Sequence, residues 1–261
     1  MLFQIAGWRV IADFESLCES LWRAWGSSMK RLSARAGHAG LWRLLFARSH
    51  QEDPFAAIVR DPSLPNLLLI GDSISMAYTV PVRKLLSGRF NVERIPVNST
   101  NSARLLAGLD EWINREYDVI HFNAGLHDLK RVPNPAEVML EQDSIEGGER
   151  WIEPAAYREN MRNIMRRLKM GGARVIVATT TPVPPEARHR MAGEEQTYNA
   201  ILRSEAKGNS VEINDLRRFI LPFLSAAQRP RDVHFNETGS LLLAGQVAAA
   251  VLARATPARR S

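Results

Sequence analysis

Three short segments hold the side chains that could do chemistry. Residues 67–73 read Leu-Leu-Leu-Ile-Gly-Asp-Ser, an apolar run that breaks at a glycine and then presents an acid and a serine. Residues 122–128, Phe-Asn-Ala-Gly-Leu-His-Asp, end another apolar run in groups able to donate hydrogen bonds. Asp232-Val233-His234 stands just ahead of the last helical stretch. A serine hydroxyl is a weak nucleophile until a base takes its proton, and His234 is the best-placed base for Ser73. Donors such as Asn123 and His127 can hold the oxyanion that develops in acyl transfer, usually the largest electrostatic contribution to that reaction. Each segment alone also has a plain structural reading: Asp72 or Ser73 as a helix cap, Asn123 and Asp128 as loop caps, His127 and His234 as interior histidines. Together, in the chain order Ser…Asp…His and at the ends of strands, they point to serine-hydrolase chemistry.

The elements that must position these groups alternate between strand and helix patterns. Strands are predicted at Leu67–Ile70, Phe90–Val97, Asp118–Phe122, Arg174–Ala178 and Ser210–Ile213. Helices are predicted at Ser75–Leu86, Ser102–Tyr117, Pro154–Met170 (stopped by Gly171-Gly172) and about Glu194–Lys207. A final helix is capped by Asn236 or Thr238 and ends near Ala255. This alternation implies βαβ units, a parallel sheet and a three-layer α/β/α sandwich. Ligands bind such sheets at the C-terminal edge of the strands, where Ser73 falls. Residues 131–153 are too long and polar for a simple connection and read as a functional or mobile loop.

The chain of 261 residues, 45% hydrophobic, suits one domain of about 200 residues with an appendage. Residues 1–54 form that appendage: two amphipathic helices are predicted over about 2–25 and 38–48, and the polar, proline-ended His50–Pro54 marks the boundary with a domain over 55–261. The appendage is basic. Residues 1–50 carry seven Lys/Arg against three acids, so most of the net charge of +6 lies there, as do Trp8, Trp22, Trp25 and Trp42. A single cysteine, Cys18, excludes an internal disulfide framework. No apolar run reaches the roughly 18–20 residues of a membrane span, and polar residues interrupt the N-terminus where a signal peptide would be apolar. The expected location is cytoplasmic. The absence of Cys/His clusters and of a Gly-rich phosphate loop implies neither zinc nor a nucleotide, and no nucleic-acid-binding motif accompanies the basic residues.

Over about residues 64–255 the sequence resembles the SGNH hydrolases, also called GDSL-type esterases and lipases. The resemblance rests on Gly71-Asp72-Ser73-Ile74, Val97-Asn98-Ser99-Thr100-Asn101-Ser102, Gly125-Leu126-His127-Asp128 and Asp232-Val233-His234. It implies a parallel, flavodoxin-like SGNH-type sheet, with Ser73 as nucleophile, His234 as base and Asp232 as the acid behind it. It also implies an oxyanion hole built from the Ser73 N–H, the Thr100 N–H and His127, with Asn123 as the fallback donor. Three positions depart from the family pattern. Thr100 stands where the family has glycine, His127 where it has asparagine, and Asp232 lies two residues before His234 instead of three, with Arg231 in the usual acid position. Either Asp232 reaches His234 by a different turn, or the enzyme runs on a Ser–His dyad. Asp215, at the start of a predicted helix, is the poorer acid. Thr180–Pro184 and Tyr198-Asn199 also look like features of one SGNH branch.

The resemblance implies ester hydrolysis through an acyl-enzyme, with no cofactor or metal and a small-molecule ester as substrate. Small O-acyl carbohydrate esters are preferred, since no long apolar segment would build an acyl tunnel. Two alternatives stand beside this reading: a catalytically degenerate SGNH-fold binding protein, and a lipid or lysophospholipid esterase recruited to membranes by the N-terminal helices. For residues 1–50, peripheral membrane contact competes with self-association or packing on the hydrolase domain.

Overall fold

The computed structural model describes residues 52–135 and 147–253. The helices expected in residues 1–50 lie outside the described residues. Five parallel strands form one sheet in the order β2-β1-β3-β6-β7. They are β1 (Asn66–Ile70), β2 (Asn91–Arg94), β3 (Val119–Asn123), β6 (Arg174–Ala178) and β7 (Glu212–Asn214). Between β3 and β6, β4 (Arg131–Val132) and β5 (Glu149–Arg150) make a small antiparallel ribbon. The ribbon occupies both ends of the long segment that the sequence marks as irregular.

Leu67, Leu68, Leu69 and Ile70 are each no more than 1% exposed, because helices cover both faces of the sheet. On one face lie α1 (Ser73–Leu85) and α7 (Glu237–Leu252), packed against each other, with the short α5 (Leu216–Ile220) and α6 (Leu224–Ala227) against α7. On the other lie α2 (Ser102–Trp112), α3 (Pro154–Met170) and α4 (Glu195–Gly208), with α3 between its neighbours. The result is the three-layer α/β/α sandwich that the sequence implies. From β1 the chain crosses to β2 on one side and then to β3 on the other, so the strand order reverses around β1. A crevice opens at such a switch point beyond the strand ends, and the turns after β1 and β3 both face it.

The sequence reading of α3 and β6 matches the observed limits. It runs long at β2, which ends at Arg94: Ile95 still donates its N–H to Leu69 O, but Pro96 comes next and has no N–H. It also overruns α2, which ends at Trp112. The helix predicted to begin at Asp215 is present as three short helical turns over residues 216–227. Elements of three to five residues are too short to show a helical period. Asp215 caps the first of them by accepting the Arg218 N–H, and it pairs with Arg203. That settles its place as a helix cap.

Candidate active site

The turn that carries Ser73, the candidate nucleophile, is built from the end of β1. Asp72 is the N-cap of α1 and accepts the Ile74 N–H through Oδ1 at 3.0 Å, a contact typically worth about 1 kcal/mol. Ser73 is therefore the first residue of the helix, where unpaired N–H groups and the helix dipole favour negative charge. Only glycine fits at position 71, because a Cβ there would lie 2.0 Å from Asn123 Oδ1 and 2.8 Å from Ser75 Oγ.

Ser73 Oγ lies 2.8 Å from His234 Nε2, and His234 Nδ1 lies 2.7 Å from Asp232 Oδ1. Asp232 Oδ1 also accepts the His234 backbone N–H at 3.1 Å. An aspartate side chain that accepts from the residue two positions on closes an Asx-type turn. This is how a two-residue spacing does the work of three. The turn is framed by Arg231 in the left-handed region (φ 60°), by the Asp232 N–H to Arg229 O, and by a bridge between Gln228 and Phe235. Arg231, in the family's acid position, points to solvent and pairs with Glu186. The carboxylate on Nδ1 fixes the proton there and leaves the Nε2 lone pair facing the serine hydroxyl. Burial opposes ionisation of Asp232, but the backbone and ring hydrogen bonds from His234 outweigh it and hold the carboxyl below its usual range. Ser73, His234 and Asp232 thus stand in one continuous line of hydrogen-bonding contacts.

The candidate oxyanion groups stand on loops that join this turn. The Ser99 N–H donates to Gly71 O, which seats the loop after β2 against the Ser73 turn. Thr100 has φ 51°, a left-handed conformation costly for a β-branched residue and natural for the glycine it replaces. Its N–H donates to Asn98 Oδ1 at 2.9 Å. Asn123 uses an amide hydrogen to hold Asp72 Oδ1 at 2.9 Å and lies near the Tyr78 hydroxyl, so it acts here as a brace for the N-cap. His127 is 2% exposed in the turn after β3, and its carbonyl accepts the Lys130 N–H. The residues Thr180, Tyr198 and Asn199 brace the same region. Asn199 brackets the Thr180 backbone with two hydrogen bonds, and Thr180 Oγ1 donates to Ala124 O.

Asp128 ties the loops after β2 and β3 together. It is fully buried and accepts both the N–H and the hydroxyl of Ser102. Burial pushes its pKa up to about 7, against the lowering effect of those two bonds. A raised carboxyl pKa favours the fold fully below the unfolded value near 3.8, and that advantage is lost as pH rises through about 7. Asp128→Asn is therefore expected to gain thermal stability relative to the parent between those pH values, by on the order of 10 °C in Tm. A Tm difference that is flat with pH would contradict this.

Beside Ser73 lies an open cleft of about 380 Å³. Met76, Ala77, Val80, Pro81, Phe235 and Leu241 give it an apolar floor. Glu52, Arg229, Asn236, Glu237 and Ser240 supply polar groups, and its lining includes none of Thr100, His127 and Asn123. Among the described residues no group of three or more His, Cys, Asp or Glu is arranged to hold a metal, and no helix is long and apolar enough to cross a membrane.

Sequence reasoning missed Asn98, Ser75 and Arg94. The last is a charged residue ending a buried strand, which was the available signal.

Comparison with known proteins shows the fold and the family. The fold is similar to an acetyl xylan esterase, AlAXEase, at TM-score 0.57 and 17% identity, covering 71% of this chain and 99% of that one. It is similar to the lipase/acylhydrolase from Enterococcus faecalis at TM-score 0.57 and 16% identity, covering 75% and 100%. An acetylxylan esterase from Geobacillus stearothermophilus gives TM-score 0.54 and 17% identity, covering 70% and 92%. No curated protein matches. The sequence pattern of the GDSL-like lipase/acylhydrolase family matches residues 69–242, a span that begins within β1 and closes inside α7. A chain that carries this pattern on this fold belongs to the GDSL-like lipase/acylhydrolase family, and it is a hydrolase of carboxylic esters.

Proposed function

We propose that Ser73 is the nucleophile of a serine esterase acting on small O-acyl esters, with His234 as its base and Asp232 as the acid that orients and charges the base. The observation that carries this reading is the continuous contact from Ser73 Oγ through His234 to Asp232. His234 takes the Ser73 proton as the hydroxyl attacks the ester carbonyl, then gives it to the leaving alcohol. Water repeats the sequence to free the acid. The oxyanion is received by the Ser73 N–H at the start of α1, with the Thr100 N–H and His127 as the further donors. For Thr100 this requires its N–H to turn from Asn98 Oδ1 to the substrate. That prior engagement favours a degenerate, binding-only site.

The cleft supports the substrate class. Its apolar floor along α1 and α7 suits an acyl group of a few carbons, and its polar groups suit a hydroxyl-rich alcohol such as a carbohydrate. Two of the similar folds are acetyl xylan esterases, a likeness in keeping with this choice. The test is a panel of p-nitrophenyl esters from acetyl to dodecanoyl, run beside peracetylated xylose and a lysophospholipid. kcat/KM is expected to be highest from acetyl to hexanoyl and to fall at least tenfold by dodecanoyl, one missing or surplus methylene being worth about 10–200-fold at most in an apolar pocket. Faster turnover of dodecanoyl ester or lysophospholipid would assign a lipid substrate, and no turnover on any ester would favour the binding-only reading.

A further inference from the structure

Arg94 ends β2 at 8% exposure, directly behind the nucleophile turn. Its Nη1 donates to Ser75 Oγ at 2.6 Å, and its Nη2 donates to Gly71 O at 2.8 Å and approaches Asp72 O at 3.5 Å. A longer contact reaches Thr79 Oγ1 at 3.4 Å, and the guanidinium lies over the Phe55 ring. These acceptors are neutral oxygens. Burying a guanidinium against neutral partners costs several kcal/mol in desolvation, so a purely structural role is poorly served by a cation. Burial lowers its pKa to about 10, which leaves it charged at neutral pH. The charged or titratable groups acting on it are Tyr78, Asp72 and Arg83.

Two of the acceptors, Gly71 O and Asp72 O, belong to the peptide groups on either side of Asp72. Ser75 Oγ, which receives the Arg94 hydrogen bond, itself donates to Asp72 O at 2.8 Å. Asp72 O also accepts the Met76 N–H at 3.1 Å. The peptide group bearing Asp72 O is the one that bears the Ser73 N–H. Hydrogen bonds in series polarise one another, so donors stacked on Asp72 O make the Ser73 N–H a stronger donor and hold its plane. Gly71 O, gripped by Arg94, also accepts the Ser99 N–H next to Thr100.

We propose that Arg94 is a positioning residue for acyl transfer: acting through Ser75 and Gly71, it fixes and polarises the Asp72–Ser73 peptide group so that the Ser73 N–H receives the oxyanion. The proposal rests on the reading of Ser73 as nucleophile and oxyanion donor. Its effect belongs to the transition state more than to substrate binding.

The experiment uses the full chain with p-nitrophenyl acetate, and sites are counted by a fluorophosphonate so that kcat is expressed per reactive serine. Arg94→Gln is expected to lose about 10- to 100-fold in kcat, less than the ~10²–10³ for deleting an oxyanion donor outright. KM should change less than about threefold. Affinity for phenylboronic acid, whose tetrahedral adduct places an oxygen where the oxyanion forms, should fall in step with kcat. Arg94→Lys, which keeps a charged donor, should recover part of both losses. Should Arg94→Gln fail to fold, Ser75→Ala removes the relay while leaving the cation and should lower kcat and boronate affinity together. A kcat per site within twofold of the parent, or a loss confined to Tm or to the count of reactive sites, would overturn the role. Undiminished turnover in Ser73→Ala, assayed in parallel, would instead overturn the underlying reading of the nucleophile.

Discussion

Replacing Ser73 by alanine is expected to lower kcat on a carboxylic ester by about 10⁵- to 10⁶-fold, and His234→Ala by a similar factor. The two groups act as one unit across a 2.8 Å contact, so removing both should cost little more than removing either. Residual turnover above water would come from the remaining oxyanion donors and from binding in the cleft. The measurement is kcat on p-nitrophenyl acetate for the two single variants and the double variant. Additive losses would show that Ser73 and His234 do not work as a pair.

The second large effect belongs to Asp232. Its Oδ1 accepts two hydrogen bonds from the same residue, one from the His234 ring and one from the His234 backbone. Asp232→Ala removes the orienting acceptor, the counter-charge for the imidazolium and the side chain that closes the turn. A loss of about 10⁴ in kcat is expected, in the range seen when a triad acid is lost. Asp232→Asn should lose less. An asparagine Oδ1 can accept the same two N–H groups, keeping the ring proton on Nδ1 while forfeiting the charge. The gap between the two variants thus separates orientation from electrostatics. Equal activity in Asp232→Ala and the parent would mean that the enzyme runs on Ser73 and His234 alone. Because burial is outweighed and the carboxyl stays below its usual range, the acid remains ionised throughout the neutral region.

The contrast between Asp232 and Arg94 explains what could be read from residues alone. Leu67–Ile70 announces a strand buried on both faces, and the Gly71-Asp72-Ser73 that follows needs only one strand end to become a nucleophile turn. Asp232 and His234 are neighbours in sequence, so their pairing depends on one local turn, and an Asx-type turn bridges two residues as readily as it does here. The positive φ of Arg231 that frames it is not encoded by residue type, since arginine does not favour that region. Contacts that cross segments left no such trace. The Arg94 grip on Gly71 and Ser75, the Asn123 bond to Asp72 and the Ser102 bonds to Asp128 each join residues nineteen or more positions apart. They depend on which strands lie side by side. Asn98 is a different case. It takes the Thr100 N–H from two residues away, but nothing in the sequence ranks that acceptor above an oxyanion for the same hydrogen.

The expected oxyanion donors divide along the same line. Asn123, the fallback donor, is the last residue of β3, and its amide holds the cap of α1. Thr100 adopts the backbone conformation of the glycine it replaces, at the strain of a β-branched side chain. That strain favours reading the loop after β2 as one held for function.

The central claim is that a single serine, Ser73, forms the acyl-enzyme. Its most direct measurement is covalent labelling of the full-length protein with a fluorophosphonate, followed by peptide mass spectrometry. One adduct per chain is expected, on Ser73, formed at a rate that collapses in His234→Ala and absent in Ser73→Ala. An adduct on any other serine, or labelling of Ser73→Ala at the parent rate, would contradict it.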